Sequence, residues 1–359
     1  MKIYGILMAG GMGTRFWPRS REKSPKQVLN VFGDGTLIQA AYQRLANFIE
    51  DSQILVVTNY DQKEVIQKQL PQLSAENFIL EPFGKNTAPC IGLAAIQVAY
   101  QDPDNIMIVV PADHVISNVA EFQTVMKLAV DFVSRQDSLV TLGITPDEPA
   151  TGYGYIQAGE EVLKADHHSV LQVRTFAEKP NLETAKRFLK SGDFYWNSGM
   201  FIWRASTILR EIGEKLPEIY EGLMELSRSI GKRDYQGKLE DVYRRIKGIS
   251  IDFGVMQEAQ NVYVIPADLG WNDVGSWETV YDISPKDKNL NAGEYAELIS
   301  IESRKCYVYS PEKAVALVGV ENLIIVDTGD ALLVCKKSSA QDVKEVVDHL
   351  KKKGLEKWL

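Results

Sequence analysis

The run Met8-Ala9-Gly10-Gly11-Met12-Gly13-Thr14-Arg15 sets small residues and a cation directly after an apolar segment. Glycines in such a place let the chain turn tightly and bring backbone N–H groups against an anion. Arg15 and, past a turn at Pro25, Lys26 add the positive charge that a polyphosphate and a phosphoryl group in transfer require. Two familiar glycine motifs fail here. A dinucleotide fingerprint starting at Gly11 needs a small residue where Phe16 stands, and a Walker A loop needs a Gly-Lys-Ser/Thr that is absent. Taken alone, the loop reads equally as a phosphate cradle or as a tight turn carrying surface cations. Asp113 and Asp273 each follow a β-like segment, and two carboxylates suit Mg²⁺, which completes its octahedron with phosphate oxygens and water. By spacing alone each reads equally as the cap of a turn or helix.

The elements that must position these residues follow from periodicity. Short β-branched runs at 3–8, 54–58, 78–81, 106–110 and 139–143 alternate with helix-period segments at 37–49, 87–100 and 121–134. That alternation predicts a doubly wound α/β unit whose sheet is covered on both faces. Such sheets bind ligands beyond the carboxyl ends of their strands, so the segments after Met8, Glu81 and Val110 should converge on one crevice. Further strands are expected at 153–157, 170–176, 199–203 and 262–265, extending the sheet and adding a second wall. Past Pro285 short strands at 306–309, 314–318, 323–326 and 332–335 precede a basic helix at 340–353. The expected division is 1–283, with parts at 1–150 and 151–283, then a small β-rich unit at 284–359.

Composition narrows the classes. With 48 acidic and 40 basic residues in 359 the net charge is -8, which argues against a nucleic-acid-tracking surface but leaves room for a small anion in a local pocket. Three cysteines without a close pair build neither a disulfide framework nor a zinc site, and a reducing cytoplasmic setting fits them. No apolar run approaches the ~18 residues of a membrane span, so no membrane partner is expected.

GGMGTRFWP followed by SPKQ resembles the N-terminal signature of sugar-nucleotide pyrophosphorylases, and specifically of bacterial mannose-1-phosphate guanylyltransferases. In order, EPFGKNTAP, PADH, TGYGYI, EKP, WNSGMF, SIDFGVM and WNDVGSW match that family's pattern over most of the chain. The resemblance implies a Rossmann-like nucleotidyltransferase fold with a mixed, mostly parallel sheet and a small β-rich C-terminal domain. It implies that Met8, Ala9, Gly10, Gly11, Gly13, Thr14, Arg15, Lys26, Asn86, Thr87, Ala88 and Pro111 hold the nucleotide. Tyr153, Gly154, Glu178, Lys179 and Asn197 would hold the sugar phosphate, and Asp113 and Asp273 the Mg²⁺. Arg15, Lys26, Asp113 and Lys179 would carry catalysis. Without the resemblance Lys179 reads as half of a surface ion pair, Asn197 as a turn amide and Asn86-Thr87 as a helix cap. His114 reads as a structural neighbour, and the chain ends before a fused isomerase domain, so one activity is expected.

The implied reaction joins GTP and α-D-mannose 1-phosphate to give GDP-mannose and pyrophosphate. The attacking sugar phosphate is already an anion near neutral pH, so no strong general base is needed, in keeping with the lack of an evident catalytic His or Cys. The alternatives are another nucleotide or hexose specificity and a non-catalytic nucleotide-sugar sensor. Exposed strand edges in the C-terminal domain suggest a homodimer.

Overall fold

A computed structural model describes residues 1–359. Its first part runs β1 (Ile3–Met8), α1 (Leu37–Ala46), β2 (Ile54–Asn59), α2 (Tyr60–Gln69), β3 (Phe78–Glu81), α3 (Thr87–Gln101), β4 (Ile106–Pro111), a short β5 (Val115–Ile116), α4 (Val119–Arg135) and β6 (Leu139–Ile144). Local signals start these helices: Thr36 caps α1 in a reciprocal pair with Gln39, Asn59 caps α2 and Asn118 caps α4. The chain continues through β7 (Tyr155–Ala165), β8 (His168–Ala177), α5 (Leu182–Ser191), β9 (Phe194–Arg204), α6 (Ala205–Lys215), α7 (Pro217–Ser227), α8 (Tyr235–Arg245), β10 (Val262–Pro266), a short β11 (Trp271–Asn272) and α9 (Trp277–Ile283).

Nine strands form one sheet in the order β3-β2-β1-β4-β9-β6-β10-β8-β7. The pairings make β8 and β9 antiparallel to their neighbours while the other seven strands share one direction, so the sheet is mixed but mostly parallel, as the sequence pattern predicts. Each face has its own core. One packs α3, α6, α7 and α8, the other α1, α2 and α4. The near-absence of polar residues in α3 follows from its place between the sheet and the layer of α6 and α7, where a Cβ on Gly92 would stand 2.4 Å from Leu223.

The remainder forms β12 (Ala292–Ile301), β13 (Tyr307–Val318), β14 (Leu323–Asp327), β15 (Leu332–Lys336) and α10 (Val343–Lys352). Here the structure corrects one expectation. The runs at 306–309 and 314–318 are not separate strands but two limbs of β13, and β12, which the sequence pattern did not bring out, pairs along it in parallel. Tyr307 lies opposite Ala292 and Ile324 opposite Tyr307, partners 15 and 17 residues apart in sequence, so the chain winds as a coil. The register shift between Tyr295 and Glu297, opposite the polar Pro311-Glu312-Lys313 stretch, marks a corner of that coil. Parallel neighbours with short connections are attainable only in such a winding. A third core joins this coil to the first part of the chain, packing Phe16, Trp17, Leu29 and Leu37 against α9, Tyr307, Val326, Val343 and Val347.

Candidate active site

The loop after β1 is pinned before it turns. The Ala9 N–H donates to the Val57 carbonyl at 2.8 Å, and its own carbonyl accepts from Gln27 Nε2 and Thr58 Oγ1, both at 2.9 Å. Gly13 has φ +71°, and a Cβ there would lie 2.3 Å from Lys26 Cβ. Only glycine permits both the left-handed backbone and this approach. The Lys26 N–H donates to the Met12 carbonyl at 3.2 Å, so the two basic segments named from the sequence are one folded unit.

Lys26 is almost fully buried. Its Nζ donates to Asp113 Oδ2 at 2.8 Å and to the Asp273 carbonyl at 2.7 Å, which ties the ends of β1, β4 and β11 together. Two of its three donors are used and one is left for a ligand. Burial alone would raise the Asp113 carboxyl, but the charge and hydrogen bond of Lys26 oppose it and its pKa lies below the ordinary value, so the group is ionised. Burial lowers the His114 pKa, and its Nδ1 accepts from the Trp271 indole N–H at 3.1 Å. The neutral ring therefore carries its proton on Nε2, which faces Asp113 Oδ1 at 3.8 Å. Tyr153 donates to Asp273 Oδ1 at 2.9 Å; burial and the nearby Asp273 charge push the phenol up, so it stays a donor.

Arg15, Lys26, Asp113 and Asp273 line one hollow of about 380 Å³ together with Gly13, Thr14 and His114. Arg15 is exposed there and forms no ion pair. Asp113 Oδ1 and Asp273 Oδ2 are left without a hydrogen bond, and a Cβ on Gly275 would stand 3.2 Å from Asp273 Oδ2. Two carboxyl groups, each with a spare oxygen beside a phosphate loop, fit a hard cation that takes its other ligands from substrate and water.

Lys179 is not among the residues lining that hollow. It lies just past β8 at φ +48°, largely exposed and paired with Glu178, whose side chain is only 7 % exposed. Glu178 Oε2 faces Gly154, next to the Tyr153 that bonds Asp273, and the Asn197 N–H donates to the Gly154 carbonyl at 2.8 Å. The sugar-side residues thus form a second group joined to the first through Tyr153. Asn86 caps α3, its Oδ1 accepting from the Thr87 N–H at 2.8 Å. Thr87 Oγ1 accepts from the Ile251 N–H at 2.8 Å, and the fully buried Ala88 donates its N–H to the Ile249 carbonyl at 3.0 Å. These groups of Thr87 and Ala88 are spent on structure.

Sequence reasoning missed two acids. Glu81, at the end of β3, is buried with its carboxyl pushed up to about 7 by desolvation, which a hydrogen bond from Tyr243 at 3.1 Å partly offsets. Its other oxygen is 3.5 Å from where a Cβ of Gly10 would be. A carboxylate closing an otherwise apolar strand was the available signal. Asp252, in the SIDFGVM segment, accepts from Asn197 Nδ2 at 2.8 Å. A larger cavity, about 590 Å³, opens at the opposite ends of β1–β3, but it is lined chiefly by amides, hydroxyls and apolar groups and gathers no set of cations.

Comparison with known proteins agrees with this geometry. A nucleotidyl transferase family model matches residues 4–289, and a mannoseP isomerase/GMP-like beta-helix domain matches residues 296–350. A mannose-1-phosphate guanylyltransferase of Klebsiella pneumoniae is 40% identical over 349 residues, covering 96% of this chain and 73% of that protein. The ManC mannose-1-phosphate guanylyltransferase of Salmonella typhimurium is 40% identical over 358 residues, covering 98% and 74%. A crystal structure described as a mannose-1-phosphate geranyltransferase from Thermus thermophilus superposes with a TM-score of 0.87 at 30% identity, covering 98% of this chain and all of that one.

Proposed function

The chain belongs to the mannose-1-phosphate guanylyltransferase family of nucleotidyltransferases, and we propose that it joins GTP to α-D-mannose 1-phosphate, releasing pyrophosphate. The observation that carries the residue assignments is the convergence of Arg15, Lys26, Asp113 and Asp273 on one hollow, continuous through Tyr153 with Gly154, Glu178 and Asn197. A phosphate oxygen of the sugar attacks the α-phosphorus in line with the departing pyrophosphate, so the chemistry asks for alignment and charge compensation rather than a base. Neither thiol nor imidazole chemistry is called for: burial pushes the Cys90 thiol far up, and His114 is engaged by Trp271.

In this reading Arg15, the free donor of Lys26 and the N–H groups of the loop at 10–14 hold the triphosphate, and Lys179 draws the sugar phosphate toward it. Asp113 and Asp273 would hold Mg²⁺, which would supply neutralisation of phosphate charge. Glu81 would read the base: its Oε2, the oxygen Tyr243 leaves free beside Gly10, accepts from a guanine N–H when the carboxyl is ionised, while adenine offers only an acceptor at N1. The division at residues 283/284, a cytoplasmic setting consistent with three free cysteines, and a homodimer built on the C-terminal coil belong to the same proposal. No helix is long and apolar enough to cross a membrane. The dimer is supported by exposed Ile299, Ile301, Leu332 and Val334 on the terminal strands, and a monomer mass in light scattering would refute it.

The test of the activity mixes GTP, ATP, UTP or dTTP with the 1-phosphates of mannose, glucose and glucosamine and follows pyrophosphate with and without Mg²⁺. GTP with mannose 1-phosphate should be turned over fastest, and only with the metal. Equal turnover of ATP would remove the role given to Glu81.

A further inference from the structure

The segment after α8 crosses the crevice and touches three of its walls. The Ile249 carbonyl and Ile251 N–H bond Ala88 and Thr87 at the start of α3, and Gln257 Nε2 donates to the Phe176 carbonyl near the end of β8 at 3.3 Å. Between them lies a π-helical turn, Asp252–Met256, a geometry that concentrates at functional positions. The turn aims Asp252 at Asn197 of β9. The carboxamide of Asn197 is thereby fixed: its oxygen accepts from the Gly199 N–H at 3.1 Å and shares the Thr141 hydroxyl proton with the Met200 carbonyl, and one of its N–H groups donates to Asp252 Oδ1. Asp252 Oδ2 has no partner, and Glu178 stands close enough that its charge acts on Asp252.

We propose that Asp252 is a sugar-recognition residue in the reading given above, locking the Asn197 amide through Oδ1 and accepting a hexose hydroxyl through Oδ2. The polarity of the crevice supports a hydroxyl rather than a phosphate. Two carboxylates, Glu178 and Asp252, gather at this end with Lys179 paired to Glu178, while the cations Arg15 and Lys26 line the phosphate-loop hollow. The sugar phosphate is thereby oriented, with its hydroxylated ring on the acid pair and its phosphate toward the cations. The charged and polar groups facing Asp252 are Glu178 and Lys179 past β8, Asn197 from β9, and the backbone of its own turn. Burial first and Glu178 second raise its carboxyl to about 6, so above that pH it is an ionised, strong acceptor and below it a neutral, weaker one.

The test compares Asp252→Asn, Asp252→Ala and the wild type in pyrophosphate release with GTP and mannose 1-phosphate. At pH 7.5 both variants should raise the KM for the sugar phosphate about tenfold or more, the loss expected for one hydrogen bond to a charged acceptor, with KM for GTP within about twofold. The ratio of Asp252→Asn to wild-type KM should shrink toward one at pH 5.5, where wild-type Asp252 is itself protonated; titration of the substrate phosphate cancels in that ratio. Asp252→Asn should melt at the wild-type temperature or above at pH 7.5, since it relieves repulsion with Glu178. An unchanged sugar-phosphate KM, or a ratio independent of pH, overturns the inference. A wild-type protein that turns over no sugar phosphate overturns the reading of the whole site.

Discussion

Arg15 and Lys26 look alike in the sequence and behave differently in the fold. Arg15 is exposed at the hollow without an ion pair, so Arg15→Ala should lower kcat about 100- to 1000-fold, as for loss of one charge-stabilising donor, while the denaturant midpoint stays put. Asp113→Asn removes the partner of a buried ammonium, so it should lower the midpoint as well as kcat. Equal midpoints in the two variants would contradict the tie. Glu81 supplies a signed pH test. Its carboxyl is raised to about 7, so the folded chain holds a proton that the unfolded chain releases above its ordinary value, and stability falls as pH rises from about 4.5 to 7. Glu81→Gln should therefore melt with the wild type near pH 4 and above it at pH 8, by a free energy of about 3 kcal/mol. A gap independent of pH would mean that Glu81 is ionised throughout, with no burial penalty.

At the scale of elements the site depends on a loop folded onto a turn rather than on a helix end. Gly13→Ala meets a positive φ and Lys26 Cβ at once, so the contact between the loop and Lys26 must open. The expected cost is about 1–3 kcal/mol in stability, with a larger relative loss in kcat than in KM for the sugar phosphate, because Lys26 then leaves its place between the two aspartates. Chemical denaturation and initial-rate kinetics measure both, and an alanine variant with wild-type kcat would show that the loop need not close on Lys26. The sequence named the loop, the Pro25 turn and the end of β4 separately. Their union was not readable, because it is made by hydrogen bonds such as Lys26 N–H to Met12 across many intervening residues.

At the scale of the molecule, the C-terminal coil braces the segment that follows the glycine loop. The Trp17 indole donates to the Trp358 carbonyl at 2.8 Å, the Trp277 indole donates to the Trp17 carbonyl at 3.1 Å, and Arg21 bonds Asp330 at 3.1 Å. Arg19 lies 3.9 Å from the ring centre of Tyr309. Because the third core contains residues from both parts, neither part buries the apolar surface of that core alone. Calorimetry should show a single cooperative transition. Two well-separated transitions would mean that the coil and the sheet melt independently and that the loop keeps its shape without the coil.

The sequence by itself determined the alternation of strands and helices, the direction of most of the sheet, the glycine loop and the family, because periodicity and short motifs are local properties of the chain. It also supplied Arg15, Lys26, Asp113 and Asp273 as residues of one chemistry. Only the tertiary structure decided which of these charges is free and which is neutralised, since Lys26 meets Asp113 across 87 residues. Only it brought Glu81 beside Gly10 and Asp252 against Asn197, two contacts on which base and sugar recognition would turn. The β-coil stayed hidden for the same reason: a strand as acidic as β12 is held by backbone pairing to β13, and backbone hydrogen bonds leave no mark in side-chain pattern.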